Sequence, residues 1–246
     1  GPPAQAPGRA GPKGFFRTAP PPPWQALAAE DLRALAWLHT QERPPEVLAA
    51  LYASGFPATL TLVGADAAEA QAMDAALRAL ASSRCEEDAP GALPASSADE
   101  LAADYAAIYL THALRASPHE SVWRDDDHLM LQGPTFAVRA FYRRHGIQVS
   151  DWRARADDHL VHELEFVALL LERGDEREAA RFLKTHLLAW LPDFARRVAQ
   201  RAATPFYAAL AGLTLAACEA CQRRLPSVAA LPPVVADGPA GAPGCG

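Results

Sequence analysis

Arg155-Ala-Asp-Asp-His-Leu-Val-His-Glu-Leu164 is polar at 157, 158, 159, 162 and 163 and then runs almost wholly apolar towards Arg173. The pattern predicts a helix over 157–173, ended by Gly174. On that helix Asp158 and His162 stand four residues apart, as do His159 and Glu163, so each pair shares a face. Asp157 and Asp158 fall at the positive end, where free backbone N–H groups favour a carboxylate cap. Two readings fit. One is a capped helix start with local histidine–carboxylate pairs. The other is a polar cluster that meets a ligand.

Outward from this stretch the same periodicity recurs. Leu27, Leu32, Leu35 and Leu38 give a helix over 24–39, and Pro44-Pro45 ends it. Pro45 opens a second helix that Gly55 stops. Met73, Leu77 and Leu80 mark a third, over 67–82. Cys85 to Ser96 reads as a loop. Ser97-Ala-Asp-Glu100 is a capping box, and it should start a helix running to about Leu114 with Leu101, Tyr105, Ile108 and Tyr109 inward. Ser117 to Pro134 has no steady period, and Asp125-Asp126-Asp127 should be solvated. Pro134 to His145 is helical and closed by Gly146. A helix over 175–190 follows, with a break at Pro192. Thr204-Pro205 is an N-cap and first-turn pair for a last helix to about Leu225. Thr59 to Val63 reads equally as a short strand or a buried turn.

These elements predict an all-α fold: one globular bundle of about eight to ten helices over 24–225. Segments 1–23 and 226–246 are crowded with Gly and Pro and lack apolar periodicity, so they read as flexible tails. The chain has 246 residues, half of them hydrophobic, enough for one sizeable core. Its formal charge of −6 and the lack of a basic stripe argue against a nucleic-acid partner. No apolar run reaches the roughly 18 residues a membrane span needs; Pro205 to Cys218 reads as a buried core helix. Cys218-x-x-Cys221 looks like half of a redox or zinc motif, but it sits in an apolar helical run with no second pair nearby, so the two read as buried packing residues. Reduced cytosolic thiols are expected.

The 155–164 stretch resembles the signature of the TorD/DmsD/NarJ group of redox-enzyme maturation chaperones. The shared core is Asp158-His159-Leu160, then Glu163-Leu164 and an aliphatic run. Arg155 and Ala156 stand where that family usually has Glu and Pro. Other segments follow in the expected order. Asp104-Tyr105 with Tyr109-Leu110 is similar to the family's Asp-Tyr-x-x-Leu-Phe helix. Ser117-Pro-His-Glu-Ser-Val-Trp123 is similar to its Pro-x-x-Ser-Val-Tyr segment. Val138, Phe141-Tyr142 and Gly146 fit the helix that comes next. His186-Leu-Leu-Ala-Trp190, Pro192 and Phe194 resemble its His-x-x-x-Trp-x-Pro-x-Phe stretch. The likeness spans roughly Ala103 to Cys218 and leans to the TorD/DmsD branch.

The resemblance implies a cytoplasmic all-helical chaperone, not an enzyme, and no cofactor. It implies binding of the twin-arginine leader or the apo form of a molybdopterin oxidoreductase, held until the enzyme's cofactor is inserted. The family's binding region falls on Pro118, Ser121, Val122 and Trp123, and on Asp158 and His159. Carboxylates suit the Arg forks of such a leader: Asp158, with Asp157 or Glu163 beside it. Trp123, Tyr105 and Tyr109 are expected as apolar wall, and His159 as a polar anchor whose charge would respond to pH. A monomer or a dimer swapped about a hinge at 117–134 fits the pattern. The alternative is a helical-bundle metal site or metalloenzyme using His159, His162 and Glu163. Phosphate-cradling glycine loops and a Gly-x-Ser-x-Gly elbow are absent, so nucleotide and hydrolase chemistry find no support.

Overall fold

The computed structural model describes residues 23–86 and 98–228. Of the expected tails 1–23 and 226–246, residues 1–22 and 229–246 lie outside the described residues, as do Ser97 and 87–96 of the expected Cys85–Ser96 loop; Cys85 and Glu86 instead continue the third helix.

The order is α1 (Trp24–Thr40), α2 (Pro45–Ala53), α3 (Ala68–Glu86), and α4 (Ala98–Tyr105), which continues as a π turn, π1 (Ala106–Leu110). Then come α5 (Glu120–Arg124), α6 (Gly133–Arg144), α7 (Leu160–Glu172) and α8 (Glu176–Phe182). The last of these runs through a second π turn, π2 (Leu183–Leu187), into α9 (Leu188–Arg201), and α10 (Pro205–Arg224) closes the bundle. The fold is all-α. Among the described residues the only β pairing is a single antiparallel bridge between His119 and His159.

The core is built where α1 packs along α7 and where α10 packs on α3 and α9. The buried sides are Leu32, Leu35 and Leu38 of α1, Leu164, Val167 and Leu171 of α7, and Leu210, Leu213 and Ala217 of α10. The spacing of three and four residues read from the sequence is what brings each set onto one face. Two ends close as the glycines predict. Gly146 (φ +71°) and Gly174 (φ +73°) take left-handed conformations. After each, the next residue's N–H reaches back to the third-last helical carbonyl: Ile147 to Tyr142 and Asp175 to Leu170, both at 2.9 Å.

Five expectations differ from the structure. First, α7 begins at Leu160, not Asp157, and its N-cap is His159, whose Nδ1 accepts from the Val161 N–H at 3.1 Å. Second, the α4 helix ends at Leu110 rather than Leu114, because π1 widens its last turn and His112 and Arg115 adopt positive φ. Third, Pro192 lies inside α9 and breaks nothing. Its ring would meet the carbonyl of Leu188, and the widened turn π2 ends just there. Fourth, the aperiodic 117–134 region contains the short helix α5. Fifth, Thr204 does not cap α10 with its own hydroxyl; that hydroxyl donates to Asp104 Oδ2 at 2.7 Å. The open reading at Thr59–Val63 resolves as a turn: the Asp31 carboxylate accepts from the N–H groups of Thr61 and Leu62 at 2.8 and 2.7 Å.

Candidate functional site

The Asp158-His159-Leu160 core and the Pro118–Trp123 segment lie against each other. Glu120 N–H donates to the Asp158 carbonyl at 3.0 Å, and Leu160 N–H donates to the Pro118 carbonyl at 2.8 Å. This pair of bonds is the His119–His159 bridge. Asp158 then caps the neighbouring helix rather than its own: Oδ2 accepts from Ser121 N–H, at the start of α5, at 2.8 Å. The expected four-apart pairs Asp158–His162 and His159–Glu163 are not formed, because α7 starts after both acceptors are engaged elsewhere. Trp123 closes the clasp by donating Nε1–H to the Ser117 carbonyl at 2.8 Å.

A second layer holds the clasp. Asp157 Oδ2 accepts from Arg139 at 2.8 Å, and the Asp157 carbonyl accepts from the Tyr142 hydroxyl at 2.9 Å. Arg139 also lies near the faces of Phe136 and Trp152, both exposed. Arg155 and the Tyr105 hydroxyl both donate to the Thr40 carbonyl, at 2.8 and 3.1 Å. Tyr105 stacks on Tyr109 at 4.7 Å. The two residues that depart from the usual signature are thus structural here: Arg155 ties the clasp to the end of α1, and the Ala156 carbonyl accepts from His159 N–H at 3.1 Å.

The interior below is acidic. Glu120 and Glu163 are both fully buried. His186 Nδ1 lies 3.0 Å from Glu120 Oε2, Arg124 donates to Glu120 Oε1, and Trp190 Nε1–H donates to Glu163 Oε2 at 3.1 Å. This gives the His186–Trp190 spacing its reason: one turn of π2 and α9 supplies partners for both glutamates. Burial first, and the nearby Glu120 next, push the Glu163 carboxyl well above its usual range.

Of the residues expected to bind, Asp158, Ser121, Pro118, His159 and Glu163 are buried, Tyr105 nearly so, and Val122 and Trp123 half-buried. Asp157, Asp158 and Glu163 are each engaged within the protein. Burial also pushes His159 well below the usual histidine range and His119 down to about 4. Both shifts disfavour the charged imidazole. His159 Nδ1 accepts a backbone N–H and Glu163 faces Trp190, so the proposed metal ligands do not converge. Among the described residues no group of three His, Cys, Asp or Glu side chains is arranged to hold a metal ion.

Sequence reasoning missed the cavity beside the clasp. A cleft of about 630 Å³ runs between the 162/165/169 face of α7 and the connection after α6. His162, Arg155, Asp151 and Glu165 line it, with Tyr142 and Phe166 deeper. Glu165, exposed within the mostly apolar run that follows Glu163, is the sequence signal that points there.

Residues 66–196 match the family model described as nitrate reductase delta subunit. The chain belongs to this family. Its curated relatives include the chaperone protein TorD of Vibrio vulnificus, 32% identical over 131 residues, covering 48% of this chain and 61% of the relative. The Tat proofreading chaperone DmsD of Salmonella typhi is 36% identical over 108 residues, covering 43% and 53%. The chaperone protein TorD of Shewanella pealeana is 35% identical over 123 residues, covering 47% and 56%. The chain thus matches between half and three-fifths of the length of these relatives. The matched residues contain the whole clasp. Among the described residues no helix is long and apolar enough to cross a membrane.

Proposed function

We propose that this protein is a cytoplasmic chaperone, with no catalysis of its own, that holds the twin-arginine leader or the apo form of a molybdopterin oxidoreductase until that enzyme's cofactor is inserted. The observation that carries the reading is the clasp. The two segments in which the family resemblance is concentrated, 117–123 and 158–164, are joined by main-chain bonds and by the Asp158 cap. The names of the relatives, chaperone protein TorD and Tat proofreading chaperone DmsD, support the same role.

In this reading Asp158, His159, Pro118, Ser121 and Glu163 set the shape of the binding region from beneath, and Tyr105 fixes its α1 side. Val122 and Trp123 offer apolar surface. Calorimetric titration with synthetic twin-arginine leaders of molybdoenzymes tests it. Binding at micromolar affinity or tighter is expected, weakened by Trp123→Ala with helical circular dichroism intact. Absence of binding to any twin-arginine leader would sink the reading. Gel filtration separates a monomer from a dimer swapped about 117–134.

A further inference from the structure

The connection after α6 leaves the Schellman turn at Gly146 and runs on without helix until the turns at 150–154. Its burial alternates: Ile147 and Val149 are half-buried, Gln148 and Ser150 exposed. That period of two is the mark of extended backbone. The N–H and C=O groups of Gln148, Val149 and Ser150 make no hydrogen bond within the described residues. Residues 147–149 belong to no helix or strand and Ser150 begins a turn, so this short segment lines one wall of the cleft with main-chain groups left unpaired among the described residues. Unpaired main-chain groups of this kind can pair with an added strand.

The charges facing the cleft favour a basic occupant. Asp151 and Glu165 are exposed, and neither carboxylate has an ionic or hydrogen-bonded partner among the described residues. Arg33 is paired with Glu172, and Arg155 is held by the Thr40 carbonyl but keeps its charge, so the two carboxylates leave the lining one negative charge in excess. His162 reaches the same wall. Its ring bonds the Arg155 main chain, while its buried Nε2 has no partner. Burial keeps the imidazole below its usual pKa, so Nε2 is an acceptor waiting for a donor.

We infer that the cleft takes a basic peptide in extended form, added as a strand beside 147–150, with its arginine side chains directed to Glu165 and Asp151 and a donor group to His162 Nε2. This rests on the proposed reading of the protein as a leader-binding chaperone and says how the leader is held. Main-chain pairing gives affinity without reading the leader's sequence, and the two carboxylates select for arginine.

The test is titration of the full chain with a synthetic twin-arginine leader and with copies N-methylated at one backbone amide each, through the arginine pair and the residues after it. Strand pairing uses every second amide. Methylation at alternate positions should weaken binding about ten-fold and the intervening ones less than about two-fold. Asp151→Asn with Glu165→Gln should weaken the unmodified leader about ten-fold, and more at low salt than at high. If the unmodified leader binds but the scan is flat, or hits consecutive positions as a helix would, strand pairing is wrong and the chaperone reading stands. If the unmodified leader does not bind, both fall.

Discussion

The carboxylate of Asp104 accepts the backbone N–H of Thr204 at 2.7 Å, with Ala203 N–H at 3.0 Å and the Thr204 hydroxyl at 2.7 Å. One buried aspartate of α4 thus supplies the cap for α10. Asp104→Ala removes it and leaves buried donors unpaired. A loss of about 2–4 kcal/mol is expected, read by urea denaturation. Asp104→Asn should recover part of it, because one oxygen still accepts.

The Asp158 cap of α5 makes a separate prediction. Asp158→Ala should destabilise the clasp by about 1–3 kcal/mol. Amide exchange should rise at Glu120, Ser121 and Leu160 first, while α1 and α10 stay protected. Uniform exchange across the molecule would contradict a local role.

These aspartate caps also show what the sequence could and could not reveal. The helices, their glycine ends and the buried Cys218 and Cys221 follow from local spacing, because each depends on residues within a turn or two. The Asp158 bond spans 37 residues and the Asp104 bond 100. Read locally, Asp157 and Asp158 look like caps of their own helix; tertiary contact gives Asp157 to Arg139 and Asp158 to Ser121 instead. The family likeness named 118–123 and 158–159, and the structure joins these two segments through the His119–His159 bridge. The likeness could not tell that most of these side chains are buried. The cleft was illegible because Gln148, Val149 and Ser150 contribute backbone, which no residue pattern announces.

Glu163 should oppose stability as the pH rises. Its folded pKa is raised above the 4.5 of a free glutamate, so above that value the unfolded chain releases a proton the folded one keeps. Stability therefore falls by up to about 1.4 kcal/mol per pH unit from this group, until pH passes the folded pKa. Glu163→Gln mimics the neutral form and should flatten that slope in denaturation curves between pH 5 and 8, about 1 kcal/mol or less from wild type at pH 5. Trp190→Phe, which strips the donor from Glu163, should cost about 1–3 kcal/mol at either pH.

Acid acts through the buried imidazoles in the opposite sense. Burial lowers His39 to about 3 and His119 to about 4, and lowers His159 well below 6.5. The folded state keeps them neutral while the unfolded chain binds protons below 6.5. Stability is therefore intact above 6.5 and is lost on acidification, by up to about 1.4 kcal/mol per pH unit for each histidine. His39→Gln should remove one share of that slope in guanidinium melts at pH 6.5 and 4.5. Its tautomer is fixed: Thr214 Oγ1 donates to the Leu210 carbonyl, so it accepts from His39 Nε2, and Nδ1 accepts from the Tyr109 hydroxyl.

Cys218 and Cys221 sit on α10 as free, buried thiols. Burial pushes Cys218 well above the usual thiol range and Cys221 up to about 12. A thiol held protonated is a poor nucleophile, so alkylating reagents meet these two sulfurs only in molecules whose last helix has come away from the rest. The rate at which they are labelled is a clock for that opening, and any peptide that steadies the bundle will slow it.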